Sequence, residues 1–399
     1  MAGRTQAVLK QAPDSERDFI QRYDGWLITV ILFLLCLGLT MVASSSVAIA
    51  DRAYHDPLFF FWRQLVAVIA GVSAGLVVMH IPMKIWQSMS VPLLAVGVLL
   101  LILVLVPGVG KEVNGSMRWI SLGPVAFQAS EPVKLCIIAY IAGYLVRQNE
   151  QVKTTFAGFI RPILIVTMIS GLLLLEPDYG ACIVLFATTL GMLFLAGVPL
   201  SRFFSWVLVA STALASLAVL SPYRMQRLMS FVDPWQDPYN TGFQLTQALI
   251  AFGRGEWFGA GLGSGVQKLF YLPEAHTDFV FAVIAEELGL VTVVVVILLF
   301  GFLVIRSLII GQVAESSGRL FAGYFAYGIG LLLGVQSFIN IGVNMGLLPT
   351  KGLTLPLLSY GGNSVFITCI LLGILLRIEY ENRHASLAEA SKTVTTYVA

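Results

Sequence analysis

Charge is what this sequence has least of: Asp, Glu, Lys and Arg make up 12% of its 399 residues, and 57% are hydrophobic. An ordinary soluble domain carries about 25% charged residues. A water-facing surface cannot be covered from so small a supply, which argues against a soluble globular fold. Histidine and cysteine are scarce too, at four each. Cys36, Cys136, Cys182 and Cys369 lie far apart in apolar runs, with no histidine at ligand spacing, which speaks against a disulfide framework and a structural zinc site. His55, His80 and His384 are isolated and make no metal cluster. The net charge of +2 says little; the placement of the basic residues says more.

What is present is one apolar run after another. Crossing a hydrocarbon layer of about 30 Å takes roughly 20 residues of helix. Runs of that kind predict spans near 25–48, 60–81, 91–105, 131–146, 159–175, 180–196, 203–220, 279–305, 320–343 and 360–376. The expected fold is an all-α polytopic membrane protein of about ten transmembrane helices. Residues 1–24 form a polar N-terminal tail with Arg4, Lys10, Arg17 and Arg22, residues 25–378 the transmembrane domain, and residues 379–399 a C-terminal tail. The tail holds no short apolar core. Ala48-Ile49-Ala50 mimics a cleavage site, but the apolar stretch from Trp26 onward exceeds the roughly 7 to 15 residues of a secretory signal. It reads as a retained first anchor.

Lys and Arg collect in the N-terminal tail, at Lys84, at Arg147, Lys153 and Arg161, at Arg202, at Arg306 and Arg319, and at Arg377, Arg383 and Lys392. These are alternate loops and both ends, so the positive-inside bias makes both termini cytoplasmic. The longest polar segment, 221–277 between the seventh and eighth spans, then lies outside, where no ATP or nucleotide sugar is at hand. Chemistry there must use a substrate already delivered across or within the membrane. The segment is rich in Gly, Pro, Trp and Tyr without a clean period, which predicts short amphipathic helices and turns at the lipid interface.

Ionisable groups near the membrane are costly and mark candidate sites. The apolar stretch 135–146 is too short to span alone, so the fourth helix must start near Ser130, a candidate N-cap, with Pro132 in the first turn. It takes in Glu131 and Lys134, which meet at i, i+3 either as a structural ion pair or as a polar cavity wall. Asp278 falls at the start of the eighth helix on the outer side. There either Thr277 or Asp278 simply caps the helix, or Asp278 is a carboxylate held ionised by the helix dipole and able to accept a proton. Glu286 and Glu287 lie roughly 12 Å deeper at about 1.5 Å per residue. Glu286 can line the same cavity as Asp278, while Glu287 faces Lys134 or a neighbouring helix. On the outer side, Arg224, Arg227, Arg254 and Lys268 belong to the long loop, and Lys111, Arg118 and Lys351 to short ones. Cations in short outer loops run against the topology bias, so these three either hold a phosphate or diphosphate head group or snorkel to lipid phosphates.

Two patterns are discounted. The run from Gly259 to Gly265 is glycine-rich in the manner of a nucleotide-binding loop, but it follows no strand, fails the required spacing and lies on the wrong side. Asn114-Gly115-Ser116 fits a glycosylation acceptor by a short and common match.

Five segments in order carry a resemblance: Asn114-Gly115-Ser116-Met117-Arg118-Trp119-Ile120; Gln128-Ala129-Ser130-Glu131-Pro132-Val133-Lys134; Pro177-Asp178-Tyr179-Gly180; Leu272 through His276-Thr277-Asp278-Phe279; and Gly346 through Pro356 with Ser359-Tyr360-Gly361-Gly362. Over roughly residues 25 to 380 the chain resembles the SEDS family of shape, elongation, division and sporulation proteins. Tyr271 to His276, Gln267-Lys268-Leu269 and the charged N-terminal extension look more like its division than its elongation members. Ala129 replaces the usual proline, and Glu176 stands where glutamine commonly precedes Pro177, departures expected to act locally.

The resemblance implies a peptidoglycan glycosyltransferase at the septum of the bacterial cytoplasmic (inner) membrane. Its implied substrates are lipid II and the growing glycan strand. Its implied partners are a class B penicillin-binding protein and other divisome membrane proteins, with no nucleic acid among them. It further implies that Asp278 is the essential carboxylate. Asp278 is then expected to act as general base in an inverting transfer, with undecaprenyl diphosphate leaving. Lys111, Arg118 and Lys351 are expected to stabilise the diphosphate, with Trp119 and His276 joining them at the substrate. A divalent cation such as Mg or Mn can share that task. The rival readings are a lipid II flippase, whose head-group path would use Glu131, Lys134 and Glu286, and a division-site scaffold.

Overall fold

The computed structural model describes residues 23–113, 116–122, 125–219, 225 and 229–398. The tail cations Arg4, Lys10, Arg17 and Arg22, the loop cations Arg224 and Arg227, and Asn114-Gly115 of the acceptor-like match lie outside the described residues.

The described residues are mainly helical, with one small sheet and a long stretch of turns before the helix that begins at Val280. Its elements are α1 (Gly25–Tyr54), α2 (Phe59–Val78), α3 (Met83–Ser88), α4 (Ser90–Leu105), β1 (Gly110–Val113), β2 (Ser116–Leu122), β3 (Val125–Gln128), α5 (Ser130–Arg147), α6 (Asn149–Thr154), α7 (Phe156–Leu175), α8 (Tyr179–Leu195), α9 (Leu200–Val219), α10 (Phe243–Gly255), α11 (Val280–Ser316), α12 (Leu320–Asn344) and α13 (Gly362–Val398). Six of these are long and apolar enough to cross a membrane: α1, α2, α7, α11, α12 and the Gly362–Ala385 part of α13. Two more, α4 and α8, are apolar but shorter. The protein is a multi-pass helical membrane protein, and each predicted span coincides with a helix to within a few residues at its start.

Burial separates centre from rim. Of the most apolar window of α12, 67% is buried, against 22% for α2, whose outer face presents Trp62, Val66 and Ile69. Without a hydrophobic drive between helices in lipid, close approach of small residues supplies the attraction. Gly373 of α13 meets Gly75 of α2 so closely that a Cβ there would stand 2.5 Å from the Gly75 carbonyl oxygen.

At the end predicted to face the cytoplasm the basic residues are tied to helix ends and acids. Arg306 pairs with Asp24, which also caps α1, and with Glu379. Arg377 pairs with Glu381 at 2.9 Å and donates to the Met79 carbonyl. Arg202 donates to the carbonyls of Lys153, Thr154 and Thr155. Cations at helix C-termini relieve the orphaned carbonyls there.

Four features differ from the sequence reading. Residues 110–128 form a three-stranded antiparallel sheet, β1-β2-β3, where only a loop was expected. Ser130 is not the cap of α5; Ala129 holds that position, and the Ser130 hydroxyl instead accepts from Gln128 Nε2 at 3.1 Å. The last helix runs on through Val398, across residues assigned to a tail. Most consequentially, α11 is broken at Gly289, where φ is 77° and ψ 179°.

The break is filled by the loop that follows α10. Ala260 and Gly261 donate backbone N–H groups to the carbonyls of Glu286 (2.9 Å) and Glu287 (3.0 Å). In return the carbonyls of Glu256 and Trp257 accept from Leu290 (2.9 Å) and Val291 (3.1 Å). Irregular backbone at membrane depth is tolerated only where protein satisfies it. The glycines are required sterically: a Cβ on Gly259 would lie 2.1 Å from the Glu287 oxygen, and one on Gly289 2.3 Å from the Gly259 nitrogen. The glycine run, read as turns, is thus a turn-containing segment spliced into α11. Helix α10 leans on α11 in the same way, with Gly255 against the Ala285 carbonyl.

Candidate active site

Asp278 sits where the long loop becomes α11, in a turn fixed by its own backbone. Glu274 adopts φ 56°, and its carbonyl accepts the N–H groups of Thr277 and Phe279 at 3.2 and 3.1 Å. Thr277 donates its hydroxyl to Glu274 Oε2 at 2.6 Å, which closes the turn. The N-cap position falls to Phe279, whose ring offers no oxygen to the helix. The half-buried Asp278 carboxylate stands against the backbone of Gly352, where a Cβ would come within 3.2 Å of Oδ2. The Lys351–Leu353 stretch thus passes the acid closely.

Lys351 is the next residue along that stretch, and its Nζ lies 5.8 Å from the Tyr179 ring centroid at the start of α8. Leu353 packs against Gly180, where a Cβ would meet it at 2.8 Å. The fold therefore brings the base candidate, one cation candidate and the turn between α7 and α8 together.

Arg118 reaches the same turn from the sheet. β1 and β2 pair Lys111 with Trp119 and Glu112 with Met117, so Arg118 is the extra residue of a bulge. A bulge re-aims its side chain. Arg118 donates from Nε to the Glu176 carbonyl at 3.0 Å and from Nη2 to the Pro177 carbonyl at 2.6 Å, closing the C-terminus of α7. Part of its donor set is thus spent on the protein. Lys111 is exposed on its strand, and Trp119 is half-buried across from it.

Two acids flank this arginine. Asp178 accepts the Ala181 N–H at 3.1 Å and caps α8. Glu176 is fully buried, and neither carboxylate oxygen has a hydrogen-bond partner. Burial, reinforced by Asp178 and opposed by Arg118, pushes its carboxyl up to about 8. At neutral pH it is carried mainly as the uncharged acid, in shape and polarity close to the glutamine it replaces.

His276 is buried, with its ring 4.8 Å from that of Phe60 and 5.5 Å from that of Tyr360. Burial lowers its basicity, with Glu274 pulling the other way, so a neutral imidazole packs among aromatics beside Asp278. Its carbonyl accepts the Tyr360 N–H at 2.8 Å, tying the Asp278 turn to the segment before α13.

The deeper ionisable residues divide. Glu131 and Lys134 form the expected pair at 2.9 Å, and Lys134 also donates to Gln336 Oε1 at 3.0 Å. Glu286 and Glu287 instead hold the spliced loop. Glu286 accepts the N–H groups of Val266 and Gln267 at 2.9 and 3.1 Å and has Arg254 at 3.6 Å. Glu287 meets Lys268 at 2.6 Å, the Ser44 hydroxyl and the Gly263 N–H. Its partner is not Lys134, because the glycine-rich loop brings a closer cation to it.

The sequence reading missed the amides of α12. Gln336, Asn340 and Asn344 lie one turn apart on a single buried face, directly behind Asp278. Asn340 and Asn344 each donate to the Asp278 carbonyl at 2.9 Å. Three amides at spacing four in an otherwise apolar helix were the available signal. Among the described residues no group of three His, Cys, Asp or Glu side chains converges as a metal cluster.

Comparison with known proteins agrees with this architecture. A family described as cell cycle protein, covering FtsW, RodA and SpoVE, matches residues 25–384. The chain is 56% identical over 368 residues, 92% of its length and 93% of the relative's, to a probable peptidoglycan glycosyltransferase FtsW of Legionella pneumophila. It is 52% identical to a protein of the same name from Coxiella burnetii, covering 91% of this chain and 97% of that one. Among solved structures it resembles a chain from work on structural coordination of polymerization and crosslinking by a peptidoglycan synthase complex. That match has a TM-score of 0.73 and 30% identity, covering 90% of this chain and 98% of that one. The rod shape determining protein RodA of Thermus thermophilus superposes with a TM-score of 0.66 and 30% identity, covering 90% and 96%.

Proposed function

The chain belongs to the FtsW, RodA and SpoVE family of cell cycle proteins, and on that footing we propose that it is a peptidoglycan glycosyltransferase that polymerises lipid II with Asp278 as general base. It works on the outer face of the bacterial cytoplasmic membrane at the division septum, through about ten spans with both termini inside. The observation that carries the assignment of the base is the setting of Asp278, a half-buried carboxylate at a helix start, close against the Lys351–Leu353 stretch and within the same outer cluster as Arg118.

In the proposed step the acceptor sugar hydroxyl of lipid II gives its proton to Asp278 as its oxygen attacks the anomeric carbon of the growing glycan. The bond from that carbon to undecaprenyl diphosphate breaks, and the configuration inverts. Negative charge grows on the leaving diphosphate, where Lys351 and the free edge of Arg118 oppose it, joined by Lys111 and by Trp119 and His276 at the sugar. A class B penicillin-binding protein crosslinks the strands. The flippase reading draws less support, since Glu131, Lys134, Glu286 and Glu287 are all committed to internal partners.

Purified protein with its transpeptidase partner and labelled lipid II tests the proposal. Asp278→Asn is expected to lower polymerisation by about 10² to 10⁴, the usual contribution of a general base. Polymer formed at the unaltered rate removes Asp278 from the mechanism.

A further inference from the structure

Buried amides in a membrane helix are expensive unless every group finds a partner. Those of α12 do: apart from a link between Asn344 and Asn340 and the bond from Lys134, their partners belong to the segments that form the site. Asn344 takes the Ala282 N–H on Oδ1 at 3.1 Å and gives Nδ2 to the Asp278 carbonyl at 2.9 Å. From a neighbouring helix it thus does for the first turn of α11 what a capping side chain ordinarily does. Asn340 bridges two chain segments through one nitrogen, donating to the Asp278 carbonyl at 2.9 Å and to the Leu353 carbonyl at 2.5 Å. Gln336 continues the row, donating to the Thr354 carbonyl at 2.9 Å and accepting from Lys134, itself paired with Glu131.

We infer that Asn340 is a positioning residue for Asp278: by binding the Asp278 and Leu353 carbonyls together it sets the gap between the base and the Lys351–Gly352 backbone. Asn344 fixes the direction of the first turn, and the Glu131–Lys134 pair, through Gln336, is the footing of the row. The inference rests on the reading of Asp278 as general base and adds what aims it. Nothing in the row touches the site of transfer directly. Its effect must therefore appear in the chemical step and in the proton affinity of Asp278, because a carboxylate displaced from the start of α11 loses the support that the helix N-terminus gives its ionised form.

The test replaces Asn340 by Leu, of similar size without donors, and by Ser, which is small and polar, in the full chain with its partner. Both are expected to lower kcat for lipid II polymerisation by about 10- to 100-fold, the scale of a misplacement near 1 Å. KM for lipid II should stay within about threefold, and the acid limb of the pH–kcat profile should move to higher pH. A role in stability alone would lower the melting midpoint and leave that limb where it is. Rates within twofold of the unaltered protein, a loss expressed in KM, an unmoved acid limb, or failure of both variants to fold would each overturn the inference. If Asp278→Asn polymerises normally, the base itself is misassigned whatever Asn340 does. If Asp278→Asn is inactive and the folded Asn340 variants are normal, only the positioning role falls.

Discussion

Glu287 and Lys268 form an ion pair at 2.6 Å in which the acid is fully buried and the lysine 7% exposed, and it fastens the outer loop to α11. Ser44 of α1 completes the arrangement, accepting from Lys268 at 2.9 Å and donating to Glu287. Breaking such a pair from one side leaves an uncompensated charge and costs about 3 to 5 kcal/mol, whereas removing both charges costs far less. Lys268→Met should therefore lower the thermal midpoint in detergent sharply, and adding Glu287→Gln should recover at least half of the loss. Strictly additive effects of the two changes would contradict the coupling.

Glu176 makes stability depend on pH in a direction that can be fixed in advance. Its carboxyl is raised from 4.5 to about 8 in the folded chain. Below the lower value both states hold the proton and the residue carries no penalty. As pH rises between the two, the unfolded chain ionises first and the folded state loses ground; above about 8 the penalty is complete. Glu176→Gln should remove this dependence, with a gain that grows across the window and then levels, reaching a few kcal/mol at about 1.4 kcal/mol per unit. Melting curves of both proteins across that range decide it, and a gain that does not vary with pH would refute the neutral, buried acid.

Arg118 is held by geometry as much as by charge. Its planar fork reaches the Glu176 and Pro177 carbonyls together, which a lysine ammonium cannot reproduce. Arg118→Lys should lower the polymerisation rate on the order of tenfold even though the charge is kept. The initial rate with labelled lipid II is the measurement, and a lysine variant at full rate would mean that only the charge matters.

Much of the architecture was legible because lipid simplifies the problem. Uninterrupted apolar stretches mark spans however they pack, so the helices α1, α2, α11, α12 and α13 could be placed in advance. Glu131 and Lys134 were legible as a pair because their spacing puts them on one helical face. The break in α11 was not, since the apolar run after Gly289 reads as a continuation of the helix that holds Glu286 and Glu287, and only the approach of Gly259 explains it. The sheet was hidden by strands as short as four residues with no period. Gln336, Asn340 and Asn344 escaped because uncharged amides are tolerated singly in membrane helices. Their meaning appears only when they are seen to meet Asp278 and Leu353.

The exchange of backbone hydrogen bonds at Gly289 also constrains how the protein is made. Residues 290–316 carry a long apolar stretch and can settle in the bilayer as an ordinary span. The half-helix before them cannot be completed until Gly255 to Gly261 arrive to take the Glu286 and Glu287 carbonyls and to supply Leu290 and Val291. Asp278 heads that half-helix. The seat of the proposed catalytic carboxylate therefore depends on the loop's being docked into the break, and not on the membrane spans alone.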